Sequence, residues 1–170
     1  MRIVKDRDIY VDVVEKGMLR AQKLLWIASA NLKDMRVKQR RRYRSILDSF
    51  ATLARDGVEI RLIHAARPSA NFLNSMARHP ELSTAMEMLI CPRTHFKTVI
   101  VDGKWAYTGS ANFTGAGMGV KSDNRRNFEI GVIVDEPEHV RELMNYFDRV
   151  WIGQHCPSCG HRSICPHPIV

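Results

Sequence analysis

The stretch from residue 94 to residue 114 limits the fold more than any other part of the chain. Six residues recur there in the spacing His-x-Lys-x4-Asp-x6-Gly-Ser-x-Asn: His95, Lys97, Asp102, Gly109, Ser110 and Asn112. Phe96, Thr98, Val99, Ile100 and Val101 are strand formers, and strand side chains two apart leave the same face, so His95 and Lys97 share one. Asp102-Gly103 predicts a two-residue turn, because a primed turn needs positive φ at both central positions. A turn that tight sets Ser110 across from His95 and Thr108 across from Lys97, with Asn112 just beyond.

One hairpin thereby gathers an imidazole, an ammonium, a hydroxyl and a carboxamide. The set suits a phosphodiester: a neutral imidazole can attack phosphorus, while Lys97 and Asn112 hold the non-bridging oxygens on which charge grows. A lone histidine on a strand is ordinarily a hydrogen-bonded structural residue; six matched positions at fixed spacing point the other way. The string resembles the signature of the phospholipase D superfamily. The resemblance implies metal-independent phosphodiester cleavage through a phosphohistidine. His95 would be nucleophile or acid, Lys97 and Asn112 phosphate ligands, Ser110 a support of the phosphate site, and Asp102 chiefly a turn and fold residue. Family members also carry a glutamate that accepts a hydrogen bond from the catalytic imidazole, and Glu129, downstream of Gly-Ser-x-Asn, is similar in position. The implied fold is α/β, a half-domain with a mixed central sheet flanked by helices.

The motif occurs once in the chain. The reaction implied by the resemblance needs one histidine to attack and a second to protonate the leaving oxygen, so a twofold homodimer with the site on its axis is expected.

At 170 residues the chain is long enough for one domain with a real core. Lys and Arg number 26 against 18 Asp and Glu, a net charge of +8, which favours a polyanionic partner, DNA or RNA. The bases cluster: seven fall in residues 31–44, including Arg40, Arg41 and Arg42. They form either a solvated helix face or, beside this motif, a track for a phosphate backbone. The glycine-bearing stretch 115–127 reads as a mobile rim loop whose Lys121, Arg125 and Arg126 reach substrate phosphates. The N-terminus alternates acids and bases where a signal peptide needs an apolar core, and no stretch is long enough for a membrane span, so a cytoplasmic protein without one is expected.

In chain order, apolar spacing predicts a helix over 9–21, a strand over 24–28, a helix over 46–54 closed by Gly57, and a strand over 58–64. That alternation argues for a sheet with parallel neighbours. A short helix in 67–80, strands over 86–91 and 128–134, and a closing helix over 138–151 headed by Pro137 complete the domain, assigned to 1–152. His64 and His79 read as structural or surface residues.

Residues 153–170 form a Cys/His-rich tail. Its Cys-Pro-Ser-Cys-Gly resembles a zinc knuckle, in which a tight turn aims two thiolates at one ion. Cys156, Cys159 and Cys165 are three candidate ligands of a structural Zn and His167 is taken as the fourth, with His161, His155 and Cys91 as the other candidates. The function expected is a nucleic-acid phosphodiesterase. The alternatives are a phospholipid hydrolase or transferase, and a binding module without catalysis.

Overall fold

A computed structural model describes residues 1–39 and 42–169. It opens with β1 (Arg2–Lys5) and a wide-turned helix at Ile9–Glu15, whose closing bond runs from Lys16 N to Val11 O, five residues back. Ile9, Tyr10, Val13 and Val14 are buried on it, and a short 3-10 turn at Met18–Arg20 follows. Then come β2 (Leu24–Ser29), β3 (Arg36–Gln39), β4 (Arg42–Ser45) and α1 (Ile46–Arg55). Ser45 caps α1 by accepting from Leu47 N, and Gly57, at φ +84°, ends it in the left-handed conformation that glycine tolerates. After β5 (Glu59–His64) lie α2 (Ala70–Met76), α3 (Leu82–Ala85) and β6 (Met86–Ile90). β7 (Thr98–Val101), β8 (Trp105–Gly109), β9 (Ile130–Val134) and α4 (Pro137–Trp151) complete the domain.

Seven strands form one mixed sheet in the order β1-β9-β8-β7-β2-β5-β6. β2, β5 and β6 run parallel, and β7, β8, β9 and β1 are antiparallel to their neighbours. Strand alternation divides the core between the faces. Leu25, Ile27, Ile60, Leu62, Val99 and Val101 enter the larger cluster with α1 and the N-terminal helix. Trp26, Ala28, Ile63 and Ile100 enter the second, beneath α4. There Trp26, Phe147 and Trp151 stack, with ring centroids 5.0 and 5.9 Å apart, and the Arg61 guanidinium lies over both tryptophans. The α/β class and mixed sheet expected from the sequence are the architecture observed.

Three local readings differ. The basic segment is neither helix face nor loop: β3 and β4 pair as a separate two-stranded hairpin. Its inward Val37 is fully buried, and its flanks are fixed by Tyr10 Oη, which accepts from Lys38 N, and by Asp34, which accepts from Ser45 Oγ. The stretch 115–120 is not a free rim, because Gly117, Met118 and Gly119 are buried and Arg7 donates to Gly119 O. The hairpin that carries the His-x-Lys motif has one residue more than a tight turn. Asp102 and Gly103 take φ +57° and +63°, and Lys104 N donates to Val101 O as a primed turn requires, but the ladder resumes at Val101 opposite Trp105. Lys104 is the extra residue, and it shifts the register by one, so Thr108 faces Thr98 and not Lys97.

Candidate active site

His95 and Lys97 lie on the extended lead into β7, just ahead of its first ladder residue. Their alternation holds: Lys97 Nζ stands 3.4 Å from both ring nitrogens of His95 and donates to the His95 carbonyl at 2.6 Å. The imidazole is exposed while Lys97 is buried, so the ammonium sits in a medium that screens it less than water would.

Asn112 is positioned from β2. Its Oδ1 accepts from Asn31 N at 3.1 Å and lies 3.3 Å from Ser29 Oγ, which donates to Asn31 O at 2.8 Å and accepts from Phe113 N. His64, at the end of β5, reinforces this corner: Leu32 N and Ala66 N lie 3.0 Å from its two ring nitrogens. Burial holds the His64 pKa below its ordinary value. With its oxygen occupied, the Asn112 carboxamide keeps its two N–H donors for a ligand. Ser29 and Asn31 carry no motif of their own; the available signal was a polar residue ending an apolar strand.

Ser110 does not face His95. Its hydroxyl donates to the Glu129 carboxylate and accepts from Ile130 N at 3.1 Å. Asn127 Nδ2 donates to the other Glu129 oxygen at 3.0 Å. Within one chain, therefore, Glu129 is bonded to Ser110 and Asn127, and no bond from Glu129 to His95 forms among the described residues. Asp102 is a fold residue: its carboxylate accepts from the backbone amides of Gln22, Lys23 and Leu24 at 2.7–3.1 Å and pins the start of β2.

The segment bonded to Asn112 leads directly into the basic hairpin. Lys33 N donates to Phe113 O, and Leu32 bridges Phe113 in parallel, so β3 and β4 grow out of the rim of the site. Arg42 is exposed on that hairpin, whereas Arg40 and Arg41 lie outside the described residues. Lys121 and Arg125 are exposed, and Arg126 is ion-paired with Asp123.

The expected metal ligands are spread. Cys156 and Cys159 line a cavity beside His95, while His167 Nδ1 accepts from Ile90 N at 3.1 Å and Cys165 Sγ lies 3.9 Å from Ile90 O. No three His, Cys, Asp or Glu side chains among the described residues converge on a metal position. The His167 bond to β6 and Ile169 against Gly153 hold the tail on the domain.

Residues 14–151 match the family model described as cardiolipin synthase, PLD-like domain, and the chain belongs to this phospholipase D-like family. Among solved structures it is similar to Nuc, a phospholipase D family member from Salmonella typhimurium (TM-score 0.63, 15% identity, covering 88% of this chain and 92% of that one). It is also similar to NucT from Helicobacter pylori (0.61, 14%, 87% and 95%). A third likeness is to TrmBL2, an archaeal chromatin protein described with a novel mode of DNA binding (0.58, 15%), of which the match covers 52%. No curated protein sequence matches. No helix among the described residues is long and apolar enough to cross a membrane.

Proposed function

We propose that the protein is a metal-independent phosphodiesterase that cleaves nucleic acid through a phosphohistidine, with its active site shared by two copies. The observation that carries this reading is the approach of Lys97 to His95, on a sheet whose neighbouring corner presents the Asn112 donors. A ring nitrogen of His95 attacks phosphorus, and the P–O bond to the leaving group breaks. The imidazolium of His95 in the second copy gives that oxygen a proton. Water, deprotonated by the same second imidazole, then displaces the first and releases the phosphate monoester. Lys97 and the Asn112 N–H groups stabilise charge on the non-bridging oxygens throughout.

Two features support the shared site. One chain supplies a single motif histidine, and Phe128 and Ile130, 96% and 58% exposed, flank Glu129 as an apolar patch suited to cover by a second copy. The basic hairpin, with Arg42 and the adjoining Arg40 and Arg41, supports a nucleic-acid backbone as the anion engaged, and Lys121, Arg125 and Arg126 are further contacts in this proposal. A structural zinc in the tail is a separate proposal, supported by the Cys156–Cys159 turn alone. Metal analysis finding about one zinc per chain, with chelation exposing thiols to alkylation, would uphold it; zinc-free protein with the same stability would end it.

The family model's description names a lipid enzyme, so the decisive assay carries both substrates. DNA, RNA and anionic phospholipid vesicles are incubated with the protein in EDTA beside His95→Ala. Nucleic-acid cleavage that survives EDTA and is lost in the variant is the expected result. Lipid turnover without it would overturn the reading.

A further inference from the structure

The cavity beside His95 has features that phosphate binding does not use. It encloses about 250 Å³ between the lead into β7, the outer face of α4 and the first turns of the tail. That is slightly below the ~300–1,000 Å³ of sites for drug-sized ligands, and it suits one planar ring system. Phe96 and Tyr146 meet edge to face on its wall, with centroids 5.1 Å apart, and Val150 adds aliphatic surface. Thr94 also lines it. Thr94 is 4% exposed, and its hydroxyl has no hydrogen-bond partner.

That hydroxyl is sealed from the cavity, so recognition there falls to the ring faces. The lining of the cavity is specific: aromatic and aliphatic walls, with no acid among them. Arg93 stands at its edge. We propose that this cavity is a nucleobase subsite, which takes one unpaired base of the strand whose phosphate lies at His95. The ring packs against Phe96 and Tyr146, as bases do on aromatic platforms. Stacking on an aromatic face needs no particular base edge, so any of the four bases fits. A base held in a duplex cannot enter, so the base must first leave its stack. Arg93 and His155 flank the adjoining sugar and phosphate. Through Gly153, His155, Cys156 and Cys159, the tail supplies one side of the subsite.

This inference rests on the nucleic-acid reading of the His95 site, and binding measurements separate the two. Lys97→Ala protein, which should bind without cleaving, is titrated with a short DNA single strand and with an abasic strand of equal length and charge. Loss of the lysine weakens both alike and leaves their ratio interpretable. The base-bearing strand should bind roughly tenfold tighter or more. Tyr146→Ala should remove most of that ratio and Tyr146→Phe little of it, with abasic affinity and its salt dependence unchanged in both. Both variants should fold, since Tyr146 is 47% exposed. Equal affinity for the two strands would overturn the subsite, as would a ratio untouched by Tyr146→Ala, or displacement of the strand by anionic vesicles but not by free nucleosides. A preserved ratio in a protein whose wild type cleaves no strand would uphold the subsite and end the nuclease reading instead.

Discussion

Gly109 and Gly131 face one another across β8 and β9, so closely that a Cβ built on Gly109 would stand 2.6 Å from Gly131 Cα. The Tyr107 ring lies over the pair, and a Cβ on Gly131 would meet its Cε2 at 2.4 Å. The glycine of the motif is therefore a packing requirement that brings Ser110 to Glu129, in addition to any role in catalysis. Gly131→Ala is expected to cost about 1–3 kcal/mol by overpacking, read from the urea midpoint at unchanged slope.

Asp102 separates fold from chemistry. Asp102→Ala leaves the amides of Gln22, Lys23 and Leu24 without their acceptor and puts alanine at a left-handed φ. A loss of about 1–3 kcal/mol is expected, with the rate per folded molecule unchanged; Asp102→Asn, which tolerates that φ and keeps one acceptor, should lose less. A fall in rate at full folding would give the carboxylate a chemical role.

Ser29 acts through Asn112 as a positioning residue. Ser29→Ala removes the hydroxyl that donates to Asn31 O, lies against Asn112 Oδ1 and accepts from Phe113 N. Cleavage should slow by about tenfold, the equivalent of ~1.4 kcal/mol, chiefly in kcat, because donors to the phosphate oxygens matter most as charge develops. Ser29→Thr, which restores the hydroxyl, should recover part of it.

His64 makes stability depend on pH. Its pKa in the fold is pushed below the ordinary 6.5 by burial, and protonation would set N–H against N–H at both Leu32 and Ala66. The unfolded chain then binds the proton more readily than the folded one, so stability is full above about pH 6.5 and declines as pH falls toward the folded value. Urea midpoints of wild type and His64→Gln should diverge at neutral pH and converge on acidification; parallel curves would remove His64 from the account.

Phe128→Asp should weaken self-association, with activity falling in proportion to the loss of dimer, as followed by sedimentation and cleavage at matched concentrations. A monomeric, fully active variant would overturn the shared site.

Much of this was legible in the chain. The apolar spacing of α1 and α4 and the β runs at 24–28 and 58–64 are strong periodic signals, and one sheet layer with helices on both faces follows from their order. The basic segment was ambiguous because Arg and Lys tolerate helix and strand alike; the burial of Val37 and the bond from Lys38 N to Tyr10 decide it. Register failed at Lys104, since nothing in Asp102-Gly103 announces an additional residue after the turn. The alternation that joins His95 to Lys97 was readable, but Ser110 turning to Glu129 depends on the meeting of Gly109 and Gly131, a contact between neighbouring strands whose register the sequence does not announce. In the tail, spacing suggested a common metal, and in the fold Cys165 and His167 lie against the end of β6.

The anchoring of Asn112 gives the pocket a polarity filter. Because its oxygen is turned inward to the bend at 29–31, what it shows to an incoming molecule is hydrogen alone, and the Lys97 ammonium likewise offers only donors. A group rich in lone pairs is welcomed by both, whereas an amine or a cation finds no acceptor on either, so these two side chains can favour an anion before any bond is made or broken.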